Sequence, residues 1–428
     1  MKILVVGNGG REHAMAWRLA GTPGVKVLIT QGNAGTAEVA RELAVSPTDV
    51  DAVVQAARAE RVDLVAVGPE APLAAGLADR LDAAGIRVFG PCQAGARIEA
   101  SKAFSHEVME AAGVPCAKAH VFTDAEDAMR HLAGCAIPVV VKADGLAAGK
   151  GVVVATTREE AIEAAKEFMV DGALGAAGRT LVIEECLVGQ EASFMVMTDG
   201  EHVVPLSSAQ DHKRIFNGDL GPNTGGMGAY SPTRLLGPTA QKEVLARIVR
   251  PTLDELARRG ICYRGILYAG LMITKEGPKA LEFNCRFGDP ETQPILMRLR
   301  GDLAEAMVAC SEGWLRKVRF TFDPRPAVCV VVASAGYPGR IRTGDEIRGL
   351  DEAGREPEVR VFHAGTKRRA DGAVVTSGGR VLGVTAIGDD IAQARDRAYG
   401  AARKIHFEGM QLRTDIGARA LPRRSRKP

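Results

Sequence analysis

Short apolar runs alternate with amphipathic stretches over the first hundred residues. Four of the runs have the length of buried strands and predict strands at residues 3–6, 25–30, 64–67 and 88–89. The stretches between them have helical periodicity and predict helices at residues 14–20, 50–59 and 73–84. Strands that alternate with helices favour a parallel sheet. Ligands of such sheets bind beyond the C-terminal strand ends, so we expect the turns at 7–12, 31–35 and 68–72 to form a binding site.

The alternation becomes less regular after residue 100. Helices are predicted at residues 101–113, 158–169, 241–259, 292–298, 303–311 and 391–405. Strands are predicted at residues 137–142, 152–155, 180–185, 193–197, 203–207, 265–273, 279–286, 328–333, 359–362 and 380–384. The fold class is therefore α/β, with an α+β central part. We predict three domains: an N-terminal substrate-binding domain at 1–100, a central domain at 101–320 and a C-terminal domain at 321–428.

A glycine-rich loop at residues 143–151 resembles a P-loop but fails two tests. Its spacing is one residue short of the motif, and Gly151 stands where Ser or Thr is required. The β-branched run at 152–154 favours a strand, whereas a helix follows a P-loop. We therefore predict a mobile hairpin flap that folds over phosphates, flanked by Lys142 and Lys150. A plain mobile hairpin is the alternative.

A second segment, at residues 218–232, is rich in Gly, Pro and Asn and has neither helical nor strand periodicity. Long segments of this kind within a domain are usually functional or disordered, so we predict an irregular binding loop. Just before it, His212 lies beside Lys213 and Arg214. We expect this histidine to help hold an anion rather than to act as a base.

The chemistry is expected to centre on residues 279–293. Alternation along a strand places Glu282, Asn284 and Arg286 on one face. Two oxygen ligands two residues apart suit a hard cation such as Mg²⁺, and a neighbouring arginine suits a phosphoryl group. An exposed strand face with an incidental ion pair is the alternative.

The turn at residues 7–12 does not match a dinucleotide fingerprint. Glu12 stands where Gly or Ala is expected, and Gln31 and Gly32 occupy the place of the acidic residue after the second strand. The backbone N–H groups at a helix start still favour a phosphate. We predict a small phosphorylated ligand here; a turn that needs glycine only for its backbone is the alternative.

Composition narrows the class of protein. Of 428 residues, 46% are hydrophobic and 25% charged, as in ordinary globular proteins, and a net charge of +3 gives no argument for nucleic acid. The eight cysteines form no CxxC pair, so neither a zinc site nor a disulfide framework is indicated. The chain has no signal-peptide pattern and no apolar run long enough to span a membrane. We expect a cytoplasmic protein without a nucleic-acid or membrane partner, and a monomer or weak dimer.

Together these motifs resemble the ATP-grasp superfamily, through Lys102, the 142–151 hairpin, the 184–191 strand end and Glu282-x-Asn284-x-Arg286. Within it, the chain is similar to the phosphoribosylamine–glycine ligase family over essentially its whole length. The segments that carry this similarity are 7–14, 142–151, 210–214, 221–232 and 286–291. Ala100, Asn217 and Leu220 depart from the residues that are usual in the family.

The resemblance implies a pre-ATP-grasp domain, an ATP-grasp domain with a mobile lid at about 117–190, and a small C-terminal domain. It also implies a reaction: ATP, glycine and 5-phosphoribosylamine give glycinamide ribonucleotide, ADP and phosphate through glycyl phosphate, in the second step of de novo purine biosynthesis. Another ATP-grasp ligase or carboxylase, or a non-catalytic nucleotide-binding regulator, would be the alternatives. The last would need a damaged metal face, and the sequence has none.

The family's roles can be carried to matching positions. Glu282 and Asn284 would hold Mg²⁺ or Mn²⁺, and Arg286 and Lys142 would be catalytic. ATP would be bound by Lys102, Lys142, Gly145, Gly149, Lys150, Gly151, Glu184, Glu185, Leu187 and Glu191. The other substrates would be bound by Gly9, Gly10, Arg11, Glu12, Asn33, Gly35, Pro69, Glu70, Asp211, Lys213, Asn223, Thr224 and Gly225.

Overall fold

The computed structural model describes residues 1–146 and 151–421. Its N-terminal part is built on a parallel sheet. Its strand order is β3-β2-β1-β4-β5. The strands are β1 (Lys2–Val6), β2 (Lys26–Thr30), β3 (Arg41–Leu43), β4 (Leu64–Val67) and β5 (Val88–Phe89). The helices are α1 (Gly10–Ala20), α2 (Val50–Glu60), α3 (Glu70–Ala74), α4 (Leu77–Ala83) and α5 (Gln93–Ala100). The single helix predicted at 73–84 is wrong: α3 and α4 are separate because Gly76 between them has a φ of +86°.

Two four-stranded sheets form the central part, with orders β6-β9-β7-β8 and β11-β10-β16-β17. The first sheet and its helices comprise α6 (Lys102–Ala111), β6 (Ala119–Phe122), α7 (Ala125–Gly134), β7 (Val139–Ala143), β8 (Val152–Ala155), α8 (Arg158–Met169) and β9 (Leu181–Glu185). The second comprises β10 (Gln190–Thr198), β11 (Val203–Pro205), β16 (Gly265–Thr274) and β17 (Gly277–Asn284). Both sheets carry predicted nucleotide residues, and Lys142 on β7 donates to the carbonyl of Leu281 on β17. We call the region between the two sheets the predicted ATP cleft.

Four short strands fill the segment between β11 and β16. They are β12 (Gln210–Asp211), β13 (Arg214–Phe216), β14 (Leu220–Asn223) and β15 (Gly228–Ser231). The prediction of an irregular loop at 218–232 is therefore wrong in part, because β14 pairs with β13 and β15 pairs with two further strands. The helices α9 (Pro238–Val244) and α10 (Arg250–Arg258) follow, joined by a π-helical turn at Leu245–Val249. The central part ends with α11 (Thr292–Arg298), β18 (Leu299–Arg300), α12 (Leu303–Glu312) and β19 (Thr321–Phe322).

The C-terminal sheet takes two of its five strands from the central part of the chain. Its order is β12-β15-β20-β24-β21. The C-terminal elements are β20 (Ala327–Ala333), α13 (Leu350–Gly354), β21 (Val359–His363), β22 (Thr366–Arg368), β23 (Val374–Thr376), β24 (Arg380–Ile387) and α14 (Ile391–Ala402). Because β15 pairs with β20, the C-terminal part fixes the position of the segment that contains β15.

Local sequence explains where several helices begin. The side chains of Asp49, Asp302 and Asp390 accept backbone N–H groups at the starts of α2, α12 and α14. Thr157 and Glu160 form a reciprocal capping box at the start of α8. Such caps satisfy N–H groups that have no partner within the helix.

One apolar core joins the N-terminal sheet to the central part. It contains Leu4 and Val65 from the first sheet together with Phe194, Leu267 and Phe283 from β10, β16 and β17. The parallel sheet and β17 therefore share one core. The predicted α/β fold class is confirmed. Among the described residues, no helix is both long and apolar enough to cross a bilayer.

Candidate active site

Glu282 and Asn284, the expected metal ligands, lie at the end of β17. Glu282 is opposite Gly270 and Asn284 is opposite Tyr268 on β16. Because they are two residues apart on a strand, their side chains project from the same face. Gly270 leaves room for the carboxylate, since a Cβ there would lie 3.0 Å from Cγ of Glu282. The face thus offers a carboxylate and an amide oxygen side by side.

Three lysines near Glu282 lower the pKa of its carboxylate. Lys213 Nζ lies 3.4 Å from Glu282 Oε1. Lys213 lowers the pKa of Glu282 more than burial raises it; Lys142 and Lys102 lower it further, to about 2. The carboxylate is therefore ionised throughout the physiological range. A cluster of this kind can receive both a divalent cation and the phosphates that accompany it.

Each lysine is held by a second contact. Lys142 Nζ is 2.7 Å from Glu184 Oε2, and both side chains are largely buried. Lys142 also donates to the carbonyl of Leu281 at 3.2 Å, next to the bulge at which β17 shifts register against β16. Lys102 Nζ donates to the carbonyl of Gly145 at 3.0 Å. Burial lowers the pKa of Lys102, while Glu282 opposes that shift.

Lys213 bridges the two central carboxylates. Its Nζ is 3.2 Å from Glu191 Oε2 as well as 3.4 Å from Glu282. Glu191 is the largest cause of a pKa of Lys213 well above its usual value. Thr224 Oγ1 donates to the carbonyl of Lys213 at 2.7 Å, so the glycine-rich segment fixes this lysine through its backbone.

The remaining expected ATP residues line the sheet edges around this cluster. Glu185 is exposed and accepts from the backbone N–H of Lys118, and Leu187 is half-buried. Gly145 has a φ of +113°, which favours glycine. Gly149 and Lys150 belong to residues 147–150 of the predicted flap, which lie outside the described residues. The roles of all these residues remain predictions.

Arg286 follows β17 and contacts two carboxylates of the N-terminal part. Its Nη2 is 2.7 Å from Glu99 Oε1, and its Nε is 3.2 Å from Glu70 Oε2. Nη2 also lies 3.4 Å from Asn284 Oδ1. The side chain therefore lies next to the predicted metal ligand Asn284 and is paired with two acids. Glu99 was not anticipated, because nothing in the local sequence marks its pairing with a residue 187 positions away.

Two of the three N-terminal turns, at 7–12 and 68–72, meet around Glu12. Its Oε2 accepts from the backbone N–H of Gly9 at 2.7 Å, and its Oε1 is 2.5 Å from Nε of Arg11. Gly7 and Gly68 must be glycine, since a Cβ on either would come within 2.5 Å of the Glu12 side chain. In a dinucleotide-binding turn, a Gly or Ala at this position leaves space beside the turn. Here the side chain of Glu12 fills that space.

Contacts from β21 and the loop after it complete the N-terminal turns. Asn33 Nδ2 donates to the carbonyls of Asn8 and His363 at 2.9 and 2.8 Å. His13 Nδ1 accepts from the backbone N–H of His363 at 2.8 Å. Burial, then His363, lowers the pKa of His13 to about 3, so this histidine is neutral. Neither histidine contact was predicted, because no sequence pattern joins α1 to residues 350 positions later.

Arg380 on β24 ties the glycine-rich segment to the loop after β17. It donates to the carbonyls of Gly225 and Asp289 and lies 3.1 Å from Asp289 Oδ2. Beside this contact, Gly226 packs against Asp211, whose pKa is raised by burial and by the neighbouring Glu291. Arg380 is a further candidate that sequence reasoning missed.

His212 does not take the role expected for it. It is buried, its Nδ1 lies 3.3 Å from the carbonyl of Gly228, and its Nε2 accepts from the backbone N–H of Gly417 at 3.3 Å. Burial and the nearby Arg413 lower its pKa to about 3. The expectation that His212 helps to hold an anion is wrong, because the neutral ring is bound to backbone.

Comparison with known families covers almost all of the chain. Residues 1–99 match the N domain of phosphoribosylglycinamide synthetase, 100–292 its ATP-grasp (A) domain and 327–419 its C domain. The chain belongs to the phosphoribosylglycinamide synthetase family. Within this family, the phosphoribosylamine–glycine ligase of Escherichia coli is 50% identical over 427 residues, 99% of each chain.

Two solved structures place the synthetase family in its wider fold group. The crystal structure of phosphoribosylamine–glycine ligase from Thermotoga maritima is 33% identical, with a TM-score of 0.84 over 97% of this chain and 100% of the other. The biotin carboxylase domain of Hydrogenobacter thermophilus 2-oxoglutarate carboxylase is 20% identical, with a TM-score of 0.72 over 96% and 91% of the two chains. The second likeness shows the shared fold alone.

Proposed function

We propose that this chain is an ATP-dependent ligase that joins glycine to 5-phosphoribosylamine. The products are glycinamide ribonucleotide, ADP and phosphate, in a step of purine biosynthesis. The observation that carries the proposal is the carboxylate–amide face of Glu282 and Asn284, ringed by three lysines, in a chain that belongs to this family over its whole length.

The donor set on this face fits Mg²⁺ or Mn²⁺. Mg²⁺ sites commonly use one or two side-chain oxygens and complete the shell with water and substrate phosphates. Glu282 is ionised and Asn284 offers a neutral oxygen, while no cluster of three or more His, Cys, Asp or Glu occurs among the described residues. A bound cation would supply neutralisation of phosphate charge.

The chain's own side chains would position ATP and neutralise its charge. Lys142 and Lys102 lie on the side of the cleft next to the flap, and both are close enough to Glu282 to lower its pKa. Phosphoryl transfer needs positioning and charge neutralisation more than a dedicated nucleophile. Lys142 is held by Glu184 and would be a fixed cation for the β- and γ-phosphates.

Glycine and the ribosylamine would enter from the side of the N-terminal turns. Arg286 carries charge to the end of the metal face, where a carboxylate acceptor would meet the γ-phosphate. The ribosylamine phosphate would lie near the start of α1, at Gly9 and Gly10. The Thr224–Gly225 segment, held by Lys213 and Arg380, would close the site from the opposite side.

Isotope transfer tests both the reaction and its order. The chain is supplied with ATP, Mg²⁺, phosphoribosylamine made in situ from ribose 5-phosphate and ammonia, and glycine labelled with ¹⁸O in its carboxylate. If the carboxylate attacks the γ-phosphate first, one labelled oxygen leaves in the released phosphate. Label that stays entirely in the amide product would refute the glycyl phosphate route. ADP release that requires bicarbonate and ignores glycine would indicate a carboxylase, and negligible ADP release a nucleotide-binding regulator.

A further inference from the structure

A second cleft lies where all three parts of the chain meet, away from the site described above. Its volume is about 550 Å³, and it is lined by the C-terminal end of α1, by α11 and β18, and by β21. Arg18 on its wall is roughly 12 Å along the helix axis from Gly10, at about 1.5 Å per residue. We call this feature the rear cleft; it is within the size range of small-molecule sites.

The rear cleft has an excess of positive charge. Its lining includes four arginines and two glutamates, which leaves a net charge of 4 − 2 = +2. The glutamates are neutralised within the protein, since Glu358 pairs with Arg325 and Glu356 with Lys404. Arg300 and Arg325 are likewise paired, with Asp323. Arg18 and Arg360 have no ion pair among the described residues, and Asp302 is close enough to Arg18 to oppose the lowering of its pKa by burial.

These two arginines have unused donors. The Arg360 side chain makes no hydrogen bond or ion pair with any residue in the ranges 1–146 and 151–421, and it is exposed. Arg18 donates through Nη2 to the carbonyl of Gly301, but its Nε is buried without a partner. A buried donor left unpaired is costly. Both guanidinium groups line the cleft, so an anion that enters it would be attracted by their positive charge.

Trp17 gives the rear cleft an aromatic wall beside this charge. The indole is half-buried, with its ring edge-on to Phe362 at 5.7 Å. The guanidinium of Arg360 lies 5.6 Å from the indole centroid. Val359 and Leu296 supply buried apolar floor. A ligand suited to this wall has a planar ring as well as a negative charge.

We infer that the rear cleft binds a small organic phosphate with a planar ring, of the size of a nucleoside monophosphate. The phosphate is bound by Arg360 and Arg18, whose planar, multiply donating guanidinium groups suit phosphate oxygens. The ring lies against Trp17. This site is separate from the ATP cleft and goes beyond the proposed ligase reaction.

Fluorescence of Trp17 tests the inference. The chain has only two tryptophans, so Trp314→Phe leaves Trp17 as the sole reporter. The protein is titrated with AMP while saturating Mg²⁺ and a non-hydrolysable ATP analogue occupy the catalytic cleft. We expect a saturable change in Trp17 emission with AMP, and at least tenfold weaker binding of adenosine, which lacks the phosphate. No saturable change with AMP, or equal affinity for adenosine, would overturn the inference.

Two arginine variants and a control locate the binding. Arg360→Ala removes an exposed side chain without a hydrogen bond, so the fold should persist, and AMP affinity should fall at least tenfold, as expected for loss of a hydrogen bond to a charged group. Arg18→Ala should give a similar loss. The matched control is Arg340→Ala, another exposed arginine outside the rear cleft. Equal weakening by Arg340→Ala, or unchanged affinity in Arg360→Ala, would show that AMP binds elsewhere.

Discussion

Replacing Arg286 with methionine would remove the cation that sits between two carboxylates of the N-terminal part. The side chain of Glu99 is 8% exposed, that of Arg286 19% and that of Glu70 30%. At contact distances of 2.7 and 3.2 Å and an effective dielectric constant of about 20, each attraction is about 5–6 kcal/mol before desolvation. Removing one partner of such a pair typically costs about 3–5 kcal/mol. We expect Arg286→Met to lower the free energy of unfolding by about that amount.

A double-mutant cycle with Glu99→Gln separates the structural role of Arg286 from its role in the reaction. A neutral amide at position 99 needs no counter-charge, so Glu99→Gln in the Arg286→Met background should restore about 2 kcal/mol of stability. The assays are urea unfolding and ADP release with glycine and phosphoribosylamine. If Arg286 also contacts the reacting groups, turnover stays lost while stability recovers.

The matched control is Arg340→Met, which removes an exposed arginine and should change the free energy of unfolding by no more than about 0.5 kcal/mol. A coupling energy below about 0.5 kcal/mol between positions 286 and 99 would refute the reasoning. So would an Arg286→Met variant as stable as the control. Full turnover in the double mutant would remove Arg286 from the catalytic site.

Three further predictions concern the metal face, the C-terminal contact and acid stability. Glu282→Gln and Asn284→Ala should each abolish ADP release at saturating Mg²⁺ while far-UV circular dichroism is unchanged; near-normal turnover in either would exclude that residue as a ligand. Arg380→Lys cannot make all three contacts, so the KM for phosphoribosylamine should rise at least tenfold with a smaller change in kcat, and the reverse pattern would count against a positioning role. Burial lowers the pKa of His13 to about 3, so the unfolded chain binds an extra proton as pH falls below about 6.5, and the free energy of unfolding should drop by roughly 2 kcal/mol between pH 7.5 and 5. In His13→Asn, urea midpoints at these pH values should show a smaller drop; an identical pH dependence would contradict the assignment.

Elements with strong local patterns could be predicted from the sequence. The buried strand Leu64–Val67 and the helices Arg158–Met169 and Thr292–Arg298 have the predicted bounds. The strand face of Glu282 and Asn284 followed from alternation alone, and the bulge at Leu281 lies before both residues and so leaves their shared face intact. These features depend on neighbours in the chain.

Features that depend on distant partners could not be predicted. Residues 220–231 have no alternation, and β14 and β15 form because β13 and β20 offer them backbone partners. Arg380 was passed over because its contacts with Gly225 and Asp289 span 155 and 91 residues. The neutral, buried state of His212 likewise comes from tertiary packing, whereas its sequence neighbours are basic.

The sharing of strands between the central and C-terminal parts bears on how this protein could be divided. A fragment beginning at residue 327 would lack β12 and β15, and the backbone of β20 would be left as an open edge. The reciprocal fragment would lose β20, which is one of the two partners of β15. It would also lose the Arg413 guanidinium, which donates to the carbonyl of Arg214 and pairs with Asp219. Neither piece is therefore a self-sufficient module, although family boundaries fall between them. Split versions of the enzyme should need both halves present during folding, and fusion partners are better placed at the chain ends than at residue 326.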